Sequence, residues 1–125
     1  MEELKIDFDL GELEEIEKTF GRKFSYPAVH FGRSVVFNGE AEKAGLIGGE
    51  AIRWFVATDY IIGLPAKRDS ENAFSLRLTG RKGKSKGTSF PIALLREKKL
   101  TPGYYKLLKY KNGFAFKRYE PLEVD

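Results

Sequence analysis

Val35-Val36-Phe37-Asn38-Gly39-Glu40-Ala41-Glu42-Lys43-Ala44-Gly45-Leu46-Ile47-Gly48-Gly49, with the apolar run Ala51-Ile52-Arg53-Trp54-Phe55-Val56 behind it, has an echo 54 residues downstream. The echo runs Ser89-Phe90-Pro91-Ile92, Ala93-Leu94-Leu95-Arg96-Glu97-Lys98-Lys99, Leu100-Thr101-Pro102-Gly103, then Tyr105-Lys106-Leu107-Leu108-Lys109-Tyr110. Leu46 aligns with Leu100 and Gly49 with Gly103 without a gap. Each copy then breaks and resumes, at Thr58-Asp59 before Tyr60-Ile61-Ile62-Gly63-Leu64 and at Asn112-Gly113 before Phe114-Ala115-Phe116-Lys117-Arg118. The match is one of pattern, not identity. A repeated unit too small to bury its own core does so against its copy.

Both copies share one grammar: a strand, a short helical turn, a Leu-x-x-Gly corner that reverses the chain, and a closing β-hairpin. Gly49 and Gly103 stand where a tight corner wants no Cβ, and Pro102 suits position i+1 of such a turn. Asn112-Gly113 is the strongest short hairpin signal in the chain. As a two-residue turn it sets Lys111 opposite Phe114 and Lys109 opposite Phe116. Thr58-Asp59 is the weaker equivalent.

Outside the copies, Leu4-Lys5-Ile6-Asp7-Phe8 alternates as a short strand would. Leu10, Leu13, Ile16 and Phe20 recur at helical spacing. With Asp9 as N-cap, Lys18 in the last turn and Gly21 as stop, residues 10–20 read as an amphipathic helix docked on the body. Phe24 to Phe37 reads as extended, and Ala73 to Leu78 as a strand. The total is about nine short strands and two or three short helices, a mainly β fold.

A chain of 125 residues is one domain. Its 42% hydrophobic and 14% aromatic content marks a folded globule. No apolar run reaches membrane-spanning length. The acidic start lacks the basic and apolar regions of a signal peptide. The absence of Cys excludes disulfides and cysteine metal sites and fits a reducing, cytoplasmic setting. The single His30 has no second His or Cys to share a metal with, so neither metal nor cofactor is expected.

The net charge of +4 hides a split. Glu2, Glu3, Asp7, Asp9, Glu12, Glu14, Glu15 and Glu17 against Lys5 and Lys18 give residues 1–20 a charge of −6, leaving +10 on the rest. This is an acidic arm on a basic body. Arg77, Arg81, Lys82, Lys84 and Lys86 form a run interspersed with glycines, and Arg96, Lys98 and Lys99 follow on the second helix. Such a polycation neutralises phosphates and releases their counterions. A solvated basic surface with a mobile loop is the alternative.

Gly83-Lys84-Ser85 suggests a phosphate loop, but that motif needs a glycine five residues earlier, where Leu78 stands. No acid pair stands out as acid and base, and no Ser or Tyr has a recognisable base partner, so nothing points to an enzyme. The aromatic hairpin leaves two readings open. Phe114 and Phe116 either stack on single-stranded nucleic acid beside Lys109 and Lys111, or fill the core while the lysines reach outward. Trp54 with Ile52 and Phe55 reads as core.

Phe31-Gly32-Arg33-Ser34-Val35-Val36-Phe37 followed by Leu46-Ile47-Gly48-Gly49-Glu50-Ala51-Ile52 resembles the AbrB/SpoVT and MazE-type module, whose pattern is Gly-Arg, two hydrophobics, Ile-Pro, a short helix, a Leu-Gly corner and a hairpin. Phe90-Pro91-Ile92 and Leu100-Thr101-Pro102-Gly103 supply the matching parts of the second copy. The resemblance covers residues 30–64 and 84–119, joined by a connection over 65–83 and preceded by an arm over 1–29. It implies a small swapped-hairpin β-barrel, here a tandem pseudo-dimer within one chain, and a transcription regulator that binds duplex DNA. The residues it would use are Arg33, Arg77, Arg81, Lys82, Lys84, Lys86, Arg96, Lys98 and Lys99. Phe37-Asn38-Gly39, acidic Glu40 and Glu42, and Gly87-Thr88 depart from the family pattern and argue against symmetric reading of palindromic DNA.

Two other functions fit. One is a protein-interaction module of antitoxin or phage-accessory type, with the acidic N-terminal helix as its partner-binding element. The other is a single-stranded nucleic-acid binder. On the DNA reading, the acidic arm would cover the binding face when DNA is absent.

Overall fold

The computed structural model describes residues 2–14, 24–79 and 85–123. The chain is mainly β, with ten strands and two short helices among these residues. The strands are β1 Ala28–Phe31, β2 Ser34–Phe37, β3 Ala51–Val56, β4 Tyr60–Ala66, β5 Ala73–Ser75, β6 Arg77–Thr79, β7 Ser85–Ser89, β8 Gly103–Lys106, β9 Leu108–Tyr110 and β10 Gly113–Lys117. Helix α1 spans Gly39–Lys43 and α2 spans Ile92–Glu97.

The strands form two antiparallel sheets, β6-β7-β2-β1-β8 and β5-β3-β4-β10-β9. Their inner faces share one core. Val29, Phe31, Val35, Phe37 and Tyr105 come from the first sheet, and Ile52, Ile61, Phe114 and Phe116 from the second. Phe31 makes edge contacts with Phe90 at 5.0 Å, Phe116 at 5.2 Å and Trp54 at 5.8 Å. These pairs interlock the two layers.

The repeat is real at the level of backbone hydrogen bonds. At the end of α1, the Leu46 amide donates to Ala41 O at 3.2 Å and Gly45 to Glu42 O at 3.0 Å. At the end of α2, Leu100 donates to Leu95 O at 2.8 Å and Lys99 to Arg96 O at 3.1 Å. Every partner is shifted by 54 residues. The left-handed residue that ends each helix is Gly45 (φ 71°) in one copy and Lys99 (φ 52°) in the other.

Both sheets interleave the copies. In the first, Ser34 pairs with Ser89 and Val35 with Thr88. In the second, Ile61 pairs with Phe116 and Ile62 with Ala115. The 54-residue shift exchanges the members of each set, so a local pseudo-two-fold relates the copies in both layers. The added strands break the symmetry. Sheet one takes in β8 and sheet two takes in β5. The ladders do not close into a barrel; β6, β8, β5 and β9 are edges.

Other expectations are corrected. Residues 10–20 do not begin as an α-helix. Asp9 caps only a 3-10 turn over Leu10–Glu12, its carboxylate accepting from the Gly11 amide at 3.1 Å, and Leu13 is extended (ψ 149°). Leu10 and Leu13 are exposed, so this turn is not docked on the body. A short helix without a packed face has little to hold it. Ile16, Lys18, Phe20 and Gly21 lie outside the described residues. Leu4–Phe8 is not in a strand, for it has no neighbouring strand to pair with.

Ala73–Leu78 is not one strand. It turns at buried Leu76, whose amide donates to Glu50 O at 2.9 Å, and serves a different sheet on each side. The 65–83 segment, read as a connection, therefore supplies β5 and β6 as well as the end of β4.

The hairpin turn lies one residue earlier than expected, which moves the pairing register by two residues. Tyr110 pairs with Gly113 and Lys109 with Phe114, which makes Lys111-Asn112 the turn, Lys111 at φ 49°. Gly113 is kept for close packing. A Cβ there would overlap the Gly63 carbonyl of β4. Thr58-Asp59 does form the expected turn, with the Ala57 amide donating to Tyr60 O at 2.8 Å and Val56 pairing with Ile61.

Asn38, a departure from the family pattern, is a structural tie. Its Oδ1 accepts from Ala41 N at 3.0 Å as the N-cap of α1 and from Ala28 N at 3.0 Å, and its Nδ2 donates to Tyr26 O at 2.9 Å.

Candidate nucleic-acid interface

Alternation along a strand sends neighbouring side chains to opposite faces. In the first sheet Val29, Phe31, Val35, Phe37, Thr88 and Tyr105 point to the core. Their neighbours therefore form the outer face. One row crosses all five strands by direct pairing: Arg77, Gly87, Val36, His30 and Tyr104. Four strand spacings make that row about 19 Å long. Ser34 and Ser89 pair on one side of it, and Ala28 and Lys106 on the other.

Gly87, Ser34 and Ser89 make the β7–β2 part of this face small and hydroxyl-bearing, next to Val36. Gly87 keeps it flat, since a Cβ there would meet Thr79 Cγ2 at 2.5 Å and Val35 O at 2.8 Å. Cations and aromatics occupy its margins. His30 lies edge-on to Tyr104 at 4.8 Å, and Phe24 touches Tyr104 at 5.6 Å and Tyr26 at 5.5 Å. Lys106 Nζ sits over the Tyr26 ring at 5.1 Å. No Asp or Glu occurs in any of the ten strands, which carry Arg53, Arg77, Lys86, Lys106, Lys109 and Lys117.

Arg33 and Arg77 are brought together. They line an open cleft of about 450 Å³ at the end of this face, with Ser34 and Ser89 between them and Phe74, Phe90, Pro91 and Ile92 as its apolar wall. Phe74 stacks on Phe90 at 6.4 Å with the rings 10° from parallel. The turn that carries Arg33 is anchored by the Phe90 amide, which donates to Arg33 O at 3.1 Å. Among the described residues no carboxylate pairs with either guanidinium. Two cations, two hydroxyls and a wall of apolar and ring carbons suit a phosphate ester.

The other predicted residues divide. Lys86 is turned away, half-buried, with Nζ donating to Ile47 O at 3.4 Å. It belongs to the inward-facing set of β7 and is removed from the interface. Arg96, Lys98 and Lys99 are exposed, but at the C-terminal end of α2, about 9 Å along the helix from the cleft. The Lys98 carbonyl is engaged by Arg118. Arg81, Lys82 and Lys84 lie outside the described residues. The flanking Thr79 and Ser85 pair with each other at the margin of the face.

His30, Tyr104, Tyr26, Phe24 and Lys106 escaped the sequence reading as members of this surface. The signal was the acid-free alternation of Ala28-Val29-His30 and Tyr104-Tyr105-Lys106, which needs the pairing of β1 with β8 to be interpretable. The hairpin aromatics resolve to core: Phe114 and Phe116 are buried against Phe37 and Tyr105. Trp54 is partly buried and packs on Phe31, Phe90 and Phe114. Among the described residues no cluster of His, Cys, Asp and Glu could hold a metal ion, and no helix is long and apolar enough to cross a membrane.

No protein-family pattern, curated protein or solved structure matches the chain.

Proposed function

We propose that the chain binds nucleic acid, duplex DNA foremost, as a transcription regulator of AbrB-like type. The observation that carries this reading is the convergence of Arg33 and Arg77 on an acid-free sheet face. Phosphate oxygens are the first target of such a surface, and they supply affinity and register without sequence information. The interleaving of two repeats in both sheets supports the swapped-hairpin resemblance, since that module builds its body from two copies. Arg96, Lys98 and Lys99, exposed at the far end of the second helix, add to the positive charge of the chain.

The test is fluorescence anisotropy of labelled duplex DNA, single-stranded DNA and RNA across a salt series. Wild type binds duplex with a steep log–log slope. Arg33→Ala with Arg77→Ala lowers its magnitude by about 0.9 for each phosphate no longer neutralised. Lys86→Met leaves it unchanged, because that lysine faces Ile47. No binding to any probe at low salt overturns the reading and leaves a protein partner.

A second reading is single-strand binding. The rings of Phe24, Tyr26 and Tyr104 beside His30 favour it, because bases stack on such platforms. Preference for single strands, abolished by Tyr104→Ala, would select it.

A further inference from the structure

The second sheet has an outer face of different character. A row of paired residues crosses four strands: Phe55, Ile62, Ala115 and Leu108. Leu64 and Tyr110 lie beside it on one side and Tyr60 on the other. Phe55 is 38% and Leu108 42% exposed, although both belong to regular strands. A contiguous apolar ribbon of this kind on a sheet face is unusual for a surface that meets only water. Its cations are Arg53, whose guanidinium lies over the Phe55 ring at 5.2 Å, Lys111, over the Tyr110 ring at 5.6 Å, and Lys117, which pairs with Glu120 at 3.5 Å.

The arm is its complement. Leu4, Ile6, Phe8 and Leu10 alternate with charged residues, and all four are more than half exposed, Leu4 at 76% and Leu10 at 78%. Period-2 spacing puts Leu4, Ile6 and Phe8 on one side of an extended segment, and Leu10 opens the 3-10 turn that follows. Glu2, Glu3, Asp7, Asp9, Glu12 and Glu14 make the arm acidic where the ribbon's margin is basic. Among the described residues of one chain, no segment covers either surface. The body begins at Phe24, against Tyr26 and Tyr104 on the outer face of the first sheet. Leu4, Ile6, Phe8 and Leu10 stay exposed to water while Phe55 and Leu108 of the same chain stay open, which leaves a neighbour's ribbon as their partner.

We infer that residues 4–10 of one copy dock on the outer face of the second sheet of another copy, so that two chains exchange arms reciprocally. The contact is isologous, because each chain gives an arm and receives one. It occupies the face opposite the candidate nucleic-acid surface and stands independently of that assignment.

Light scattering coupled to size exclusion, on nuclease-treated full-length protein over a concentration series, tests this. Wild type rises from 14.2 kDa toward twice that mass. An arm variant (Leu4→Ser, Ile6→Ser, Phe8→Ser) and a face variant (Phe55→Ser, Leu108→Ser) each stay monomeric. All five positions are exposed, so both variants keep the wild-type circular dichroism spectrum and melting transition. Mixed together, they form a heterodimer through one intact arm-and-face contact. A monomeric wild type at hundreds of micromolar overturns the inference. So does a dimer that survives either variant, and so does failure of the mixture to associate.

Discussion

Tyr105 and Arg118 tie the body together with groups that are not apolar. Arg118 is buried, and its guanidinium donates to Ala57 O at 2.8 Å and Lys98 O at 2.7 Å, joining the β3–β4 turn to the end of α2. The Tyr105 hydroxyl donates to the Thr101 carbonyl and lies 3.4 Å from the Arg118 carbonyl. Burial holds the Tyr105 pKa above the ordinary tyrosine value of about 10. The neutral phenol is the form the fold keeps, whereas the unfolded chain ionises at the ordinary value. Its contribution is therefore complete below pH about 10 and is lost as pH rises through the folded pKa. Urea denaturation from pH 8 to 11 should show stability falling above pH 10. Tyr105→Phe should flatten that fall and cost about 1 kcal/mol at pH 8 through the lost hydrogen bond. A fall as steep in Tyr105→Phe would assign it to another group.

Among the elements, the β9–β10 hairpin tests how a turn is chosen. Asn112-Gly113 has the stronger local preference, yet Gly113 is spent on packing against β4. The turn then falls to Lys111, at positive φ. Gly113→Ala should cost about 3 kcal/mol, near the top of the overpacking range, because the atom it meets belongs to the backbone. Lys111→Gly should be neutral or stabilise by up to about 1 kcal/mol, since it relieves a left-handed residue. Both are read from urea midpoints. With Asn112-Gly113 as the turn the pattern would differ, Lys111→Gly costing stability for no relief. The helix corners are the contrasting case. Gly45 and Lys99 occupy the same left-handed site, and the hydrogen bonds around them are the same in both copies.

The two sheets should unfold as one cooperative unit, because neither repeat owns a sheet. β2 needs β7, β4 needs β10, and Phe31 of the first copy packs on Phe90 and Phe116 of the second. A fragment of residues 24–72 should therefore lack the near-ultraviolet dichroism and dispersed amide resonances of a folded chain. Mixing it with residues 73–125 should restore both. A fragment folded alone would mean that the copies are separate domains. The same interleaving gives the molecule two outer faces of opposite character, one polar and cationic, the other apolar.

By itself the sequence determined the mainly β class, the 54-residue repeat and the helix-and-corner grammar, while the core role of Phe114 and Phe116 waited on the structure. The class, the repeat and the grammar rest on local periodicity and on glycine at tight corners, which act within a few residues. It also marked Arg33 and Arg77 as candidate ligands for phosphate. Only the tertiary structure decided that these two share a cleft, that Lys86 turns inward, and that His30 and Tyr104 stand in one row. It alone decided the hairpin register and the break at Leu76. The physical reason is common to all of them. Which face a strand residue occupies depends on its partner strand, and a one-residue slip reverses every side chain. Those partners lie tens of residues away and are selected by packing across the core.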